Sequence, residues 1–268
     1  MMKNKTRLDL LLVQRGLFPS REQARAAIMA GEVLVDEVKL DKAGAAVKDD
    51  CSIRLLGQRL PYVSRGGLKL ERAISVFGLD LKDKIIIDIG SSTGGFTDCC
   101  LQNGAAKVYA VDVGTNQLAW KLRCDPRVVT LEKTNARGLD RSVIDDEVDM
   151  LVADVSFISL TLALPAAVEH HLKSGGEVAC LIKPQFEAGR EAVGKGGIVR
   201  DPAVHRLVIE KIIDAFCSMG LAVAGLDHSP ITGADGNIEY LIYGITGGEK
   251  RDIDIDSVVE AAWHEFKQ

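Results

Sequence analysis

The stretch IIIDIGSSTGGF, Ile85 to Phe96, decides how the rest of the chain is read. Ile85–Ile89 is a short apolar run rich in β-branched side chains, the composition of a strand buried on both faces. Gly90 to Gly95 follow without a break, and a helical pattern resumes over Phe96–Leu101. A strand, a glycine turn and a helix in direct succession form a ligand cradle. Glycine lets the backbone turn tightly and lets a ligand approach where a Cβ would block it. The free N–H groups of the helix that follows attract polar or anionic ligand atoms.

Outward from this turn the rhythm continues. From Lys84 onward, apolar runs at Ile85–Ile89, Val108–Val113, Met150–Ala153 and Val178–Ile182 alternate with helical stretches that include Leu160–Leu172 and Ala203–Met219. Such alternation predicts an α/β, Rossmann-like fold with a mostly parallel, doubly wound sheet. Ahead of it the pattern differs. Leu8, Leu11, Leu12 and Leu17 fall near one helical face, Ser20 is placed to cap a second helix, and Gly31 stops it. Alternating runs at Glu32–Val38 and Ser52–Leu56 predict small antiparallel strands. Arg59–Arg72 is a basic stretch with Pro61 and Gly66-Gly67, suited to a hinge that leads into a helix from about Gly67. The expected organisation is a small α+β module over 1–60, a linker and entry helix over 61–82, and the α/β domain over 83–268.

Composition sorts the candidate functions. No apolar run approaches the roughly 20 residues that span a bilayer. The N-terminal apolar stretch, Leu10–Val13, is too short for a signal peptide, so a cytoplasmic protein without a membrane partner is expected. The six cysteines form no CxxC pair and no Cys or His grouping has metal-ligand spacing, so buried thiols in a reducing compartment are expected, with no metal. The net charge of −5 conceals an asymmetry. Residues 1–72 carry 14 Lys+Arg against 9 Asp+Glu, while the remainder is acidic. A basic module ahead of an acidic body suggests a polyanion contact at one end.

The glycine turn discriminates among nucleotide-type ligands. A phosphate-binding P-loop requires GxxxxGK[ST], and no lysine follows Gly95. A dinucleotide turn has GxGxxG, whereas the spacing here is GxxxGG. The form DxGxxxGG is similar to the first motif of Rossmann-like methyltransferases, which implies S-adenosylmethionine as cofactor. Asp112 ends the next strand about twenty residues on, where a carboxylate can accept from a ribose diol. Asn135-Ala136 follow the strand Val128–Leu131, where that fold contacts adenine. The cofactor set expected is Asp88, Gly90, Ser91, Ser92, Gly94, Gly95, Phe96, Asp112, Asn135, Ala136 and Asp154. The bland alternative for Gly90–Gly95 is a purely structural turn.

The acceptor leaves its own signature. An alcohol has a high pKa, so methyl transfer to a ribose hydroxyl calls for a base or for cations that stabilise the developing alkoxide. Amino-directed enzymes tend to carry [ND]PP[YF] after the fourth strand, and base-carbon enzymes use a nucleophilic cysteine. The fourth strand here ends Ala153-Asp154-Val155-Ser156-Phe157 and carries neither. Charged residues instead follow the apolar runs: Asp154 after the fourth strand, Lys183 after the fifth, and Glu239 before the last, with Lys69 in the entry helix. Ligand groups collect at that edge of an open parallel sheet. Partial burial of Lys183 would lower its pKa and suit it as a base. For each of the four taken alone, a solvated surface charge is the competing explanation.

SRGGLKL (64–70), DIGSSTGGFTD (88–98), ADVSFISL (153–160), KPQFE (183–187), GKGGIVRDP (194–202) and GNIEY (236–240) together resemble the TlyA family, over nearly the whole chain. Members were first named hemolysin A and are described as ribosomal RNA 2′-O-methyltransferases with an FtsJ-type catalytic domain. RLDLLLVQRGLFPSREQARAAIMAGEVLVD (7–36) resembles the RNA-binding domain first seen in ribosomal protein S-four. The resemblance implies ribosomal RNA or ribosomal subunits as partner, cytidine ribose as acceptor, and a Lys-Asp-Lys-Glu tetrad at Lys69, Asp154, Lys183 and Glu239. Within it Lys183 would be the base or alkoxide stabiliser, Asp154 would position it, and Lys69 and Glu239 would orient the ribose. Arg7, Arg15, Arg21, Arg25 and Arg65 are the expected RNA contacts. The charged, glycine-rich loop Glu187–Asp201 is expected to be mobile until RNA binds. A membrane-active hemolysin and a non-catalytic RNA-binding protein are the alternatives. The nucleotide, the choice between free subunit and assembled ribosome, and the oligomeric state are open at this level.

Overall fold

A computed structural model describes residues 5–36, 38–56, 60–233 and 235–266. Glu37 and Arg59, which fall in the expected strand and hinge, lie outside these. The chain divides into two units, 1–60 and 61–268.

In the small unit, β1 (Lys5–Arg7) leads into α1 (Leu8–Gln14) and α2 (Arg21–Met29). Ser20 caps α2 by accepting the Gln23 N–H at 3.3 Å. The strands β2 (Val33–Val35), β3 (Val38–Lys39), β4 (Ala46–Lys48) and β5 (Ile53–Leu55) complete it. They form two antiparallel sheets, of order β3-β2-β5 and β1-β4. Leu8, Leu11, Leu12, Ala24, Ala27, Ile28 and Val33 close a core against these strands. Leu17, expected on the α1 face, is instead exposed beyond the end of that helix, and Phe18 packs in its place.

The larger unit opens with α3 (Gly66–Phe77). There follow β6 (Ile85–Ile89), α4 (Gly95–Gln102), β7 (Lys107–Val111), α5 (Trp120–Arg123), β8 (Val128–Leu131) and β9 (Val148–Ala153). The chain continues through α6 (Leu160–Ala163), α7 (Pro165–His171), β10 (Leu172–Ile182), α8 (Pro184–Glu187), α9 (Pro202–Ser218), β11 (Leu221–His228), β12 (Tyr240–Thr246) and α10 (Ile255–Phe266). The seven strands are ordered β11-β12-β10-β9-β6-β7-β8. Pairings β10–β9, β9–β6, β6–β7 and β7–β8 are parallel, and β12 is reversed against both its neighbours. Ile87 and Ile89 enter one core cluster and Ile86 the other, so the central strand is buried on both faces.

The expected helix Leu160–Leu172 is two helices. Pro165 has no N–H to continue α6 and opens α7 at its first position. Of the cysteines expected to be buried, Cys124 and Cys217 are exposed, and all six are free thiols. Among the described residues no helix is long and apolar enough to cross a membrane.

The order of the strands fixes where ligands can sit. From β6 the chain winds outward through β7 and β8, then returns to β9 on the opposite side. The crevice between the carboxyl ends of β6 and β9 is therefore the topological switch point, where ligands bind in open α/β sheets.

Candidate active site

β6 carries Asp88 into the core and Gly90 to the switch point. The Asp88 side chain is fully buried; Thr97 Oγ1 donates to its Oδ2 at 2.5 Å, and its Oδ1 has no partner among the described residues. Burial pushes this carboxyl up to about 7, and the nearby charges of Asp154 and Asp112 act in the same direction. Gly90 (φ +81°) needs glycine twice over, since a Cβ would stand 3.0 Å from the Asp154 carbonyl. At Gly95 a Cβ would lie 2.4 Å from Ser64 Oγ and 2.9 Å from the Gly67 nitrogen. The glycine there lets the start of α3 approach the start of α4. The protein's own neighbours, rather than a ligand, occupy the space that Gly95 leaves.

Asp112, just beyond β7, accepts the Ser92 N–H on Oδ2 (2.8 Å) and the Gly114 N–H on Oδ1 (2.7 Å). It thereby ties the glycine turn to the next loop. Asn135 Oδ1 accepts the Arg137 N–H at 3.1 Å, and Ala136 is buried beneath it. A cleft of about 350 Å³ opens here, within the range of small-molecule sites. Of the cofactor residues expected from the sequence, Gly90, Ser92, Asp112, Asn135, Ala136 and Asp154 line it. Ser91, Gly95 and Phe96 line an adjoining cleft, and Asp88 and Gly94 line neither.

The adjoining cleft, about 380 Å³, gathers Lys69, Asp154, Lys183 and Glu239, which come from four different elements. Lys183 Nζ lies 2.6 Å from Asp154 Oδ1 and donates to Ser156 Oγ at 2.9 Å. Lys69 Nζ donates to Glu239 Oε2 at 2.6 Å and lies 3.7 Å from Asp154 Oδ2. Lys69, Lys183 and Glu239 are buried, so four charges form one chain with little water to screen them. Asp154, Ser156 and Phe157 belong to both clefts.

Ser156 and Phe157 carry no individual signal in the sequence. Phe157 is 91% exposed with φ +64° and meets the Phe186 ring at 5.0 Å. A left-handed aromatic residue costs roughly 1–3 kcal/mol and persists only where its surroundings hold it.

The arginines divide. In the small unit Arg7 grips Asp9 with two bonds (3.0 and 2.9 Å) and Arg21 donates to the same carboxylate at 3.0 Å. Asp9 is fully buried, and Arg7 above all holds its carboxyl well below the usual carboxylate range against the opposing cost of burial. Arg15 donates to the backbone carbonyls of Cys51 and Asp49, which makes it a structural tie. Arg25 is exposed, and Arg65 is exposed on the rim of the second cleft. The loop Glu187–Asp201, expected to be mobile, is pinned near both ends. Glu187 is buried, and Val199 donates its N–H to Asn237 Oδ1 at 3.0 Å while its carbonyl meets His205 Nε2 at 2.9 Å.

An open sheet of this order, with acid-rimmed clefts at its carboxyl edge, defines the Rossmann-like methyltransferase class. The chain belongs to the FtsJ-like methyltransferase family, which matches residues 62–245, and it carries an S4 domain at residues 6–50. It is 52% identical to YqxC of Bacillus subtilis, a candidate rRNA methyltransferase, over 100% of this chain and 98% of that protein. It is 42% identical to the 16S/23S rRNA (cytidine-2′-O)-methyltransferase TlyA of Mycobacterium tuberculosis, over 90% of each. A solved structure from Streptococcus thermophilus, described as a candidate hemolysin, is 48% identical with a TM-score of 0.76, covering 99% of this chain and 98% of that one.

Proposed function

We propose that this protein methylates a cytidine ribose 2′-hydroxyl of ribosomal RNA, in the cytoplasm, with S-adenosylmethionine as methyl donor. One observation carries the reading: the Lys183–Asp154–Lys69–Glu239 chain lines the second cleft, and its Asp154 also lines the first.

The first cleft fits the cofactor. It offers Asp112 and Asn135 to polar groups and apolar walls at Val111, Val155 and Ala163. S-adenosylmethionine bound there would supply an electrophilic methyl group. Gly90, Ser92, Asp112, Asn135 and Ala136 would hold it. The second cleft takes the ribose. The Lys183 amine donates to Ser156 Oγ and lies beside Asp154 Oδ1. In its neutral form its lone pair would take the hydroxyl proton as the oxygen gains the methyl group, and the Asp154 carboxylate would balance the ammonium so formed. Asp154 fixes the amine, and the buried Lys69–Glu239 pair holds the ribose in line. In the S4 domain, Arg7, Arg21 and Arg25 contact phosphates, and Arg65 contacts RNA at the cleft rim. The choice of cytidine follows the Mycobacterium tuberculosis relative, which is named a 16S/23S rRNA (cytidine-2′-O)-methyltransferase.

The test uses ribosomal subunits from a strain lacking this protein, incubated with the purified chain and labelled S-adenosylmethionine. Mass mapping of the RNA should find a methyl group on a cytidine ribose. Label on a base, or none above a protein-free control, would reject the reading.

A further inference from the structure

The loops that leave β9 and β10 are fastened side by side at three successive points. Lys183 on one holds Asp154 and Ser156 on the other, at 2.6 and 2.9 Å. Phe186 meets Phe157 with ring centroids 5.0 Å apart. Glu187 closes the series. Its Oε1 accepts the Leu160 N–H at 2.7 Å and its Oε2 accepts the Ser159 hydroxyl at 2.6 Å. Lys211, from α9, donates to that same Oε2 at 3.1 Å and to the Glu187 carbonyl at 2.9 Å. This carboxylate is 6% exposed and lines neither cleft. Among the described residues its hydrogen bonds go to the start of α6 and to α9.

Phe157 is the middle fastening, and its left-handed backbone is a conformation that persists only where both flanks are held. Lys183 secures the flank at Asp154 and Ser156; Glu187 secures the flank at Ser159 and Leu160. Ser156 sits in the same short segment and supplies the hydroxyl acceptor that aims the Lys183 amine beside its Asp154 ion pair. We infer that Glu187 is a positioning residue of the methyl-transfer site. By capping α6 it fixes Ser156 and Phe157, and through Ser156 it sets the direction of the Lys183 amine. The inference rests on the role proposed for Lys183.

The test compares Glu187→Ala, Glu187→Gln and Lys211→Met in the full chain. Three quantities are read: kcat on ribosomal subunits, the thermal midpoint, and amide hydrogen exchange over residues 155–160. Glu187→Ala should lower kcat by about 30-fold or more, since displacement of a reacting group by about 1 Å can cost a hundredfold. Its exchange should rise over 155–160 while the strands β6 and β10 keep theirs. Glu187→Gln retains an acceptor for the Leu160 N–H and should recover kcat to within about fivefold of the parent. Lys211→Met leaves the cap in place and should cost less than about threefold, as loss of one half-exposed partner. Wild-type kcat in Glu187→Ala, or faster exchange spread evenly over the sheet, would overturn the inference. Lys183→Ala serves as the control. If it is inactive while Glu187→Ala is fully active, only this inference falls. If Lys183→Ala is itself active, the chemistry assigned to Lys183 falls, and this inference falls with it.

Discussion

Each unit of this protein uses one carboxylate to hold two cations, and the two arrangements differ in burial. In the small unit Asp9 is fully buried while its partners Arg7 and Arg21 keep 51% and 52% of their side chains exposed. In the larger unit Asp154 holds Lys69 and Lys183, and both lysines are only 10% exposed. A buried carboxylate beneath exposed guanidinium forks presets donors for an external polyanion. Two buried amines around a carboxylate at a cleft instead act on a single small group in a weakly screened space. The first arrangement fits the phosphate contact proposed for the small unit, and the second fits the chemistry proposed for the larger one.

Breaking the catalytic side should have the largest effect. Asp154→Asn removes the charge that both lysines share, and kcat should fall by about 100-fold or more, measured with saturating ribosomal subunits. Retention of more than about a tenth of the activity would show that the lysines do not depend on it. Breaking the small unit should act on affinity. Asp9→Ala leaves both arginines charged but unheld, so RNA binding should weaken by about tenfold with little change in its salt dependence. Arg7→Ala and Arg21→Ala should each reduce the salt slope by about 1. A loss of slope in Asp9→Ala would mean that Asp9 does more than position the pair.

A smaller effect concerns pH. Folding raises the Asp88 carboxyl from 3.8 to about 7, so the stability it contributes is full below its unfolded value and is lost as pH rises through about 7. Asp88→Asn cannot ionise. It should melt above the parent at pH 8, by roughly 10 °C if the rise of about three units, about 4 kcal/mol, is recovered in full at roughly 2–4 °C per kcal/mol, and match it near pH 4. Equal midpoints at both values would place the ionisation elsewhere. The smallest response is expected from lipid: purified protein should release no dye from phospholipid vesicles, and leakage that scales with protein would support a membrane activity instead.

The sheet was legible because its strands are buried on both faces and read as continuous apolar runs. Val128–Leu131 and Ile85–Ile89 match the observed strands end for end. The break inside Leu160–Leu172 was marked by Pro165, whose signal the surrounding helical pattern outweighed. The start of β10 at Leu172 was hidden by an irregular register through Gly175 and Gly176, which do not read as strand. In the site, motif order pointed to Lys69, Asp154, Lys183 and Glu239. Ser156 and Glu187 meet their partners across about 27 residues of sequence, and one side chain's type says nothing of such a partner. The arginines show the same limit from the other side. Charge marks Arg7, Arg15 and Arg21 alike, but only the fold reveals Asp9 beneath two of them and backbone carbonyls beneath the third.

In the proposed reaction Lys183 acts on the acceptor hydroxyl and not on the cofactor. Calorimetric binding of S-adenosylmethionine, measured beside methyl transfer to ribosomal subunits, tests it in Lys183→Ala. Cofactor affinity should stay within about threefold of the parent while transfer falls by about 1,000-fold or more, in the upper part of the range for loss of a general acid–base group. Methyl transfer near the parental rate, or loss of cofactor binding that accounts for the lost activity, would contradict the assignment.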